Sequence, residues 1–280
     1  MSGKQVADSA TDDLVATRSL SATLAPLVAE MELDQAEVVT MADLEILRGR
    51  HGIRTETKHL AARLRQRGWL LATSTPGVWE FAPGAHGGPL GHANPFLELI
   101  AALRARPIPG AAIALGSALL ALNLSDRGPA RIEIAVAKGA SVPAGLRRAA
   151  RVVVFDSQIA PVRRDGAPVH SPASILVHVV ARPTDVRSWG SVLDALPALV
   201  DAIDREALDK EMEGRPASVG SRLAYLLQAL DPELADKYRD RSHGKVWFGP
   251  RGPLKRNNEH FAIADTVLPL DPARLRPGTC

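Results

Sequence analysis

The chain has 280 residues, 46% of them hydrophobic, enough to bury a sizeable core in one large or two ordinary domains. Its formal charge of +3 is mildly basic, which permits a nucleic-acid partner without requiring one. A single cysteine, Cys280, cannot form an internal disulfide and fits a reducing cytoplasm. No signal-peptide layout is present, and no apolar run approaches the ~18–20 residues of a membrane span.

Residues 1–13 are polar and acid-rich and read as a flexible N-terminus. Leu14, Leu20, Leu24, Leu27 and Val28 then form a helical stripe that runs to Met31. Val38-Val39-Thr40 is a short extended piece, and a second helix runs from Met41 to about Arg50. A basic helix follows, with Thr55 expected as its N-cap and Gly68 as its C-terminal stop. With Leu60 at zero and about 100° per residue, Leu64 lies at about 40° and Thr57 at about 60°. Arg54, Arg65 and Lys58 fall at about 120–160°, and Ala62 and Thr55 at about 200–220°, which makes a polar face away from the apolar one. Trp69–Thr73 and Val78–Phe81 read as two strands around the turn Ser74-Thr75-Pro76-Gly77.

Charge sharpens this stretch. Residues 48–67 carry seven Lys/Arg and one acid, whereas residues 1–47 carry two Lys/Arg and nine acids. Such a dipole aims one end at phosphates while the rest is repelled from them. Three helices and a two-stranded wing over residues 14–82 predict a winged helix-turn-helix. The candidate DNA contacts are Arg54, Thr55, Thr57, Lys58, Ala62 and Arg65 on the recognition helix, with Thr73, Ser74, Thr75 and Gly77 on the wing.

Residues 83–94, with four glycines and two prolines, read as a linker. Residues 95–280 then predict a larger mixed α+β domain with a helical middle. Helices are expected over Pro95–Arg106 and Ala111–Leu124, strands over Arg131–Ala137 and Arg151–Phe155, and a hairpin around Arg164-Asp165-Gly166. Helices resume over Ser188–Met212 and Ala217–Asp240, before extended pieces at Lys245–Phe248 and Phe261–Leu268. The tail carries Lys245, Trp247, Arg251, Lys255 and Arg256, a basic set with an aromatic that fits nucleic acid or a protein partner.

The sequence carries no metal-ligand spacing and no cofactor motif. The eight histidines are scattered without ligand spacing, and His178 reads as a satisfied, half-buried residue. Gly116-Ser117 followed by Arg131-Ile132-Glu133-Ile134 has the layout of a nucleotidyltransferase, where two alternating carboxylates hold Mg²⁺. Arg131 stands where the first carboxylate is needed, so the chain is not expected to be an enzyme.

The segments RLRQRGWL, GVWEFAPG, NPF, LGSALLALNLSDR, RPTDVRSW, KVWFGPRGPL and ADTVLPL occur in this order across nearly the whole chain. As an ordered set they resemble the AbiEi-type antitoxins of bacterial abortive-infection, or type IV toxin–antitoxin, systems. The resemblance implies an N-terminal winged helix that binds inverted repeats at its own promoter and represses the operon. It also implies a C-terminal domain that counteracts a nucleotidyltransferase-type toxin, with direct contact left open, and it assigns no C-terminal residue to that task. Two copies would sit on the inverted repeat, meeting as a solution dimer or only on double-stranded DNA. The rival expectation is a ligand-sensing winged-helix transcription factor, with Ala111–Leu124 and Ile175–Val180 lining a small-molecule pocket.

Overall fold

A computed structural model describes residues 20–84, 94–239 and 244–276 of a mixed α+β chain. The chain divides into two units, Met1–Pro107 and Ile108–Cys280. The expected flexible segment 1–13, and all but the ends of the expected linker, lie outside the described residues.

The first unit runs α1 (Ala25–Leu33), β1 (Val38–Thr40), α2 (Met41–Arg50), α3 (Thr57–Gln66), β2 (Leu70–Ala72), β3 (Val78–Phe81) and α4 (Leu97–Ala105). Helix α2 starts where Thr40 builds a capping box: its hydroxyl accepts from Asp43 N at 3.1 Å, and Asp43 Oδ2 accepts from Thr40 N at 2.8 Å. Helix α3 stops at Gly68, whose φ of 72° lets the chain close two bonds. Gly68 N reaches Arg65 O at 3.0 Å and Trp69 N reaches Leu64 O at 2.9 Å, a Schellman stop.

Its start differs from expectation. Glu56 occupies the cap position without a side-chain bond, and Thr55 lies one residue outside. The helix start is fixed instead by tertiary contact, because Thr57 Oγ1 donates to the Glu45 carboxylate on α2. Leu60 and Leu64 point into a core with Leu27, Leu44, Trp69 and Phe81, each such burial contributing about 1.5–3 kcal/mol.

The three strands form an antiparallel sheet in the order β1-β3-β2, with Val39 opposite Trp79 and Ala72 opposite Trp79 on the other side. Val39 and Trp79 face the core shared with α3, while Val38 and Val78 face away. Helix α4 covers that second face through Leu97, Ile100 and Ala101. This places 95–107 in the first unit, beyond the boundary expected from the Gly/Pro-rich stretch. The sheet's alternation leaves two valines exposed unless α4 returns to cover them.

The second unit contains β4 (Ala112–Ile113), α5 (Leu115–Ala121), β5 (Glu133–Val136), α6 (Ala144–Ala149), β6 (Arg151–Val154), β7 (Val162–Arg164) and β8 (Ala167–Val169). It continues with α7 (Pro172–Ala181), α8 (Trp189–Asp201), α9 (Arg205–Met212), α10 (Ala217–Leu227), α11 (Pro232–Tyr238), β9 (Val246–Phe248), β10 (Arg256–Asn258) and β11 (Ile263–Asp265). A five-stranded sheet has the order β6-β5-β4-β8-β7. Its neighbours β5 and β6 are parallel, as are β4 and β8, while β4 and β5 are antiparallel.

Ala111–Leu124 is therefore not one helix. Its first residues form a central strand, because a short apolar run flanked by sheet partners satisfies its backbone better there. Gly110, with φ of 66° and the Ala137 backbone nitrogen 2.7 Å from where a Cβ would stand, turns the chain into that strand. The expected long helices also break in two. Asp204 caps α9, accepting from Glu206 N and Ala207 N, and Asp231 with Pro232 starts α11. A smaller sheet, β10-β11-β9, packs on α10, with Phe248 edge-on to Trp189 and Tyr225 at 5.2 and 5.9 Å.

Candidate nucleic-acid interface

Helix α3 buries Thr57, Leu60, Ala61 and Leu64 and exposes the remaining arc. Lys58, Ala62 and Arg65 are exposed on it, and Arg54 is exposed just before the helix, with Thr55 half-buried. Thr57 does not share this face: it is 8% exposed and its hydroxyl is committed to Glu45. His59, Arg63 and Gln66 are exposed on the same arc, in addition to the residues expected from the sequence. The signal for them was the wheel itself, on which they follow Ala62 before the apolar arc resumes.

Not every cation of the basic stretch is free. Arg48 Nη2 pairs with Glu45 at 2.5 Å, and Arg50 pairs with Glu30 on α1. The Glu45 carboxyl lies below the usual carboxylate range, chiefly through its hydrogen bond from Arg48 and then that from Thr57. Glu30 is lowered too, chiefly by its hydrogen bond with His51. Lys58 pairs with exposed Glu56 at 2.9 Å, a contact worth little in solvent. Arg54, Arg63 and Arg65 have no ionic partner among the described residues. The positive pole therefore lies on α3 and its N-terminal approach, while Arg48 is paired within α2 and Arg50 ties α2 to α1.

The β2–β3 turn is more self-engaged than its composition implied. Thr73 Oγ1 donates to Val78 O at 2.8 Å and accepts from Thr75 N at 3.2 Å. Thr75 is buried, its hydroxyl without a partner in the described structure. Gly77 has φ of 76° and is exposed, its carbonyl accepting from Met41 N at 3.2 Å. Ser74 N donates to both Glu98 oxygens, at 3.1 and 3.0 Å, and Ser74 Oγ donates to Glu98 Oε2.

The tail residues separate into two kinds. Arg256 is structural: it donates to buried Asp265 at 2.7 Å and to Leu268 O at 3.0 Å. Trp247 is half-buried, with its carbonyl fixed by Arg222 at 2.8 Å. Lys245, Arg251 and Lys255 are exposed, Lys255 lying over Val267 O at 2.9 Å.

Inside the second unit, Gly116, Ser117 and Glu133 do come together. Glu133 Oε2 accepts from Gly116 N at 2.9 Å, Ser117 Oγ accepts from Glu133 N at 2.9 Å, and Arg151 Nη1 donates to Glu133 Oε1 at 2.6 Å. Burial raises the Glu133 carboxyl despite Arg151. Arg131 instead closes the end of α6, donating to Arg147, Arg148 and Ala150 carbonyls at 2.8–3.0 Å. So one carboxylate is tied to a guanidinium, and the position two residues earlier binds backbone.

His178 is fully buried rather than half-buried, stacked on Phe155 at 4.2 Å with Asp185 Oδ2 3.5 Å away. Its ring is held by that stack, not by hydrogen bonds of ordinary length. A cavity of about 410 Å³ is bordered by Ile108, Ala111, Ala112, Asp156 and His170. His170 is 2% exposed, its Nδ1 has no hydrogen-bond partner among the described residues, and burial lowers its pKa to about 3. The expected pocket wall at Ile175–Val180 is absent from this lining: that stretch of α7 is buried core.

Residues 111–229 match the family described as the AbiEi antitoxin C-terminal domain. The fold is similar to a solved structure, titled the crystal structure of the RV2827C protein from Mycobacterium tuberculosis. That likeness has a TM-score of 0.72 at 25% sequence identity and covers 90% of this chain and 94% of that one. Among curated proteins, none matches the chain.

Proposed function

We propose that this chain, whose residues 111–229 match the AbiEi antitoxin C-terminal domain, is an antitoxin of that type that also represses its own operon by binding DNA. The element order helix, strand, helix, helix, strand, strand is read here as a winged helix-turn-helix, with α3 as the recognition helix. The observation that carries the reading is the exposed arc of α3. Lys58, Ala62 and Arg65, joined by His59, Arg63 and Gln66, line that arc, Arg54 is exposed just before it, and the three arginines have no ionic partner among the described residues. A ten-residue helix is about 15 Å long, and the major groove is about 12 Å wide.

In this reading Arg54, Arg63 and Arg65 contact phosphates or guanine edges, and small Ala62 lets the helix approach closely. Two copies occupy an inverted repeat in the operon's promoter. The second unit restrains a nucleotidyltransferase-type toxin encoded alongside, without catalysis of its own and without a cofactor, in the bacterial cytoplasm. The test is titration of the operon's upstream DNA. Arg65→Ala and Lys58→Ala are expected to weaken binding, and each to reduce the salt slope by about 1 if its contact is to phosphate. Unchanged affinity in both variants would remove α3 from the interface.

A second reading, a ligand-sensing regulator, is favoured by the cavity beside His170. A buried ring nitrogen without a partner is costly unless water or a ligand meets it. Under that reading, a cell-derived small molecule raises the melting temperature and changes operator affinity, and His170→Gln removes both effects. Retention of both effects in that variant would refute it.

A further inference from the structure

The β2–β3 turn holds a carboxylate where the DNA-binding reading places a phosphate. The Ser74 amide and hydroxyl converge on the single Glu98 carboxylate, with both Oε atoms within 3.1 Å of Ser74 N. An amide N–H beside a hydroxyl is a donor set that meets backbone phosphates in protein–DNA interfaces. To such donors a carboxylate and a phosphate are both charged acceptors. The neighbouring hydroxyls are spent otherwise, Thr73 on Val78 O and Thr75 in the interior.

Glu98 is well placed to stay. It lies in the first turn of α4, where a negative charge suits the helix dipole. At the other end of α4, Arg104 pairs with Asp43 at 2.9 Å, while Leu97, Ile100 and Ala101 pack on the sheet.

We propose that Ser74 is an oxyanion site for a DNA backbone phosphate, and that Glu98 is its built-in occupant, displaced when DNA binds. The inference rests on the DNA-binding reading above. Exchange of one anion for another at Ser74 yields little net affinity. The displaced carboxylate remains close to the phosphate chain and is repelled by it. Arbitrary DNA therefore gains almost nothing from the turn, and binding energy must come from α3, which reads bases. Glu98 acts as a threshold that favours operator over other DNA.

The experiment compares the full chain with Glu98→Ala and Glu98→Gln, titrated with the operon's upstream fragment and a scrambled fragment at one salt concentration. Both variants are expected to bind scrambled DNA about three- to tenfold more tightly than wild type, with a smaller gain on the operator, so the specificity ratio falls. Adding Ser74→Ala to Glu98→Ala is expected to take back part of the gain, since the amide donor remains. A merely structural clamp predicts the opposite: weaker binding to both DNAs and a lower melting temperature, least in Glu98→Gln. Equal or weaker binding by both variants, with wild type still operator-specific and Arg65-dependent, overturns the Glu98 proposal alone. If wild type and variants all fail to bind either DNA, the DNA-binding reading falls and takes the proposal with it.

Discussion

His170 and His178 make the second unit sensitive to acid. Both rings are buried and drawn toward the neutral form, His170 to a pKa of about 3 by burial and then by the charge of His178. An unfolded histidine titrates near 6.5, so the unfolded chain takes up protons that the folded chain refuses. The stability these rings supply is complete above pH ~6.5 and is lost as pH falls from there. For His170 the loss by pH 5 is about 2 kcal/mol. The carboxylates held low by their partners, such as Asp43 and Asp209, act in a lower window, as pH falls below about 4. Urea unfolding at pH 7.5 and pH 5.0 separates the two. His170→Gln is expected to lose about 2 kcal/mol less over that interval than wild type, and equal losses would show that the ring is not neutral in the fold.

At the scale of elements, the ends of α3 show what a sequence can and cannot announce. Gly68 closes the helix in a left-handed conformation with two converging bonds, so Gly68→Ala is expected to cost about 1–2 kcal/mol in denaturant unfolding of the N-terminal unit. A cost near zero would mean that the stop adapts without strain. This stop was legible because glycine carries a conformational signal in its own chemistry. The start was not: Thr55 has the composition of a cap, but the register is set by Thr57 reaching Glu45 twelve residues away. The strands β2 and β3 were legible from the Ser74-Thr75-Pro76-Gly77 turn between them, whereas β4 was hidden in an apolar run whose helical and extended readings differ only in their neighbours. Helix α4 was legible as a helix but not as part of the first unit, since only the folded sheet exposes the valines that it covers. The candidate interface divides the same way. The face angles placed Lys58, Ala62 and Arg65 on the exposed arc. Counting side-chain type alone kept Thr57, which points inward, and overlooked Glu98, which occupies Ser74 from across a stretch of 24 residues.

At the scale of the molecule, the chain carries two basic surfaces in two separate units, and their chemistry differs enough to be told apart. On α3 the free cations among the described residues are Arg63 and Arg65, at opposite edges of its exposed arc, suited to bidentate guanine or phosphate contacts. On the second unit the exposed cations Lys245, Arg251 and Lys255 flank a half-buried tryptophan and the exposed Leu254, a mixture closer to a protein-binding hot spot than to a groove reader. Arg256 belongs to neither class. It satisfies buried Asp265, so its loss leaves a charge stranded in the small sheet and tests folding instead of recognition. The informative variants are therefore Arg65→Ala in the first unit and the combined Lys245→Glu, Arg251→Glu and Lys255→Glu in the second. Arg65→Ala is expected to release a reporter driven by the operon's promoter, with operator affinity falling about five- to a hundredfold, while cells still survive expression of the neighbouring toxin. The triple charge reversal is expected to keep repression and lose protection, with an unchanged melting temperature, because its three side chains are exposed and two of them bond nothing in the described structure. If the triple variant instead loses repression and keeps protection, the tail surface serves DNA, and the toxin must be met elsewhere on the second unit.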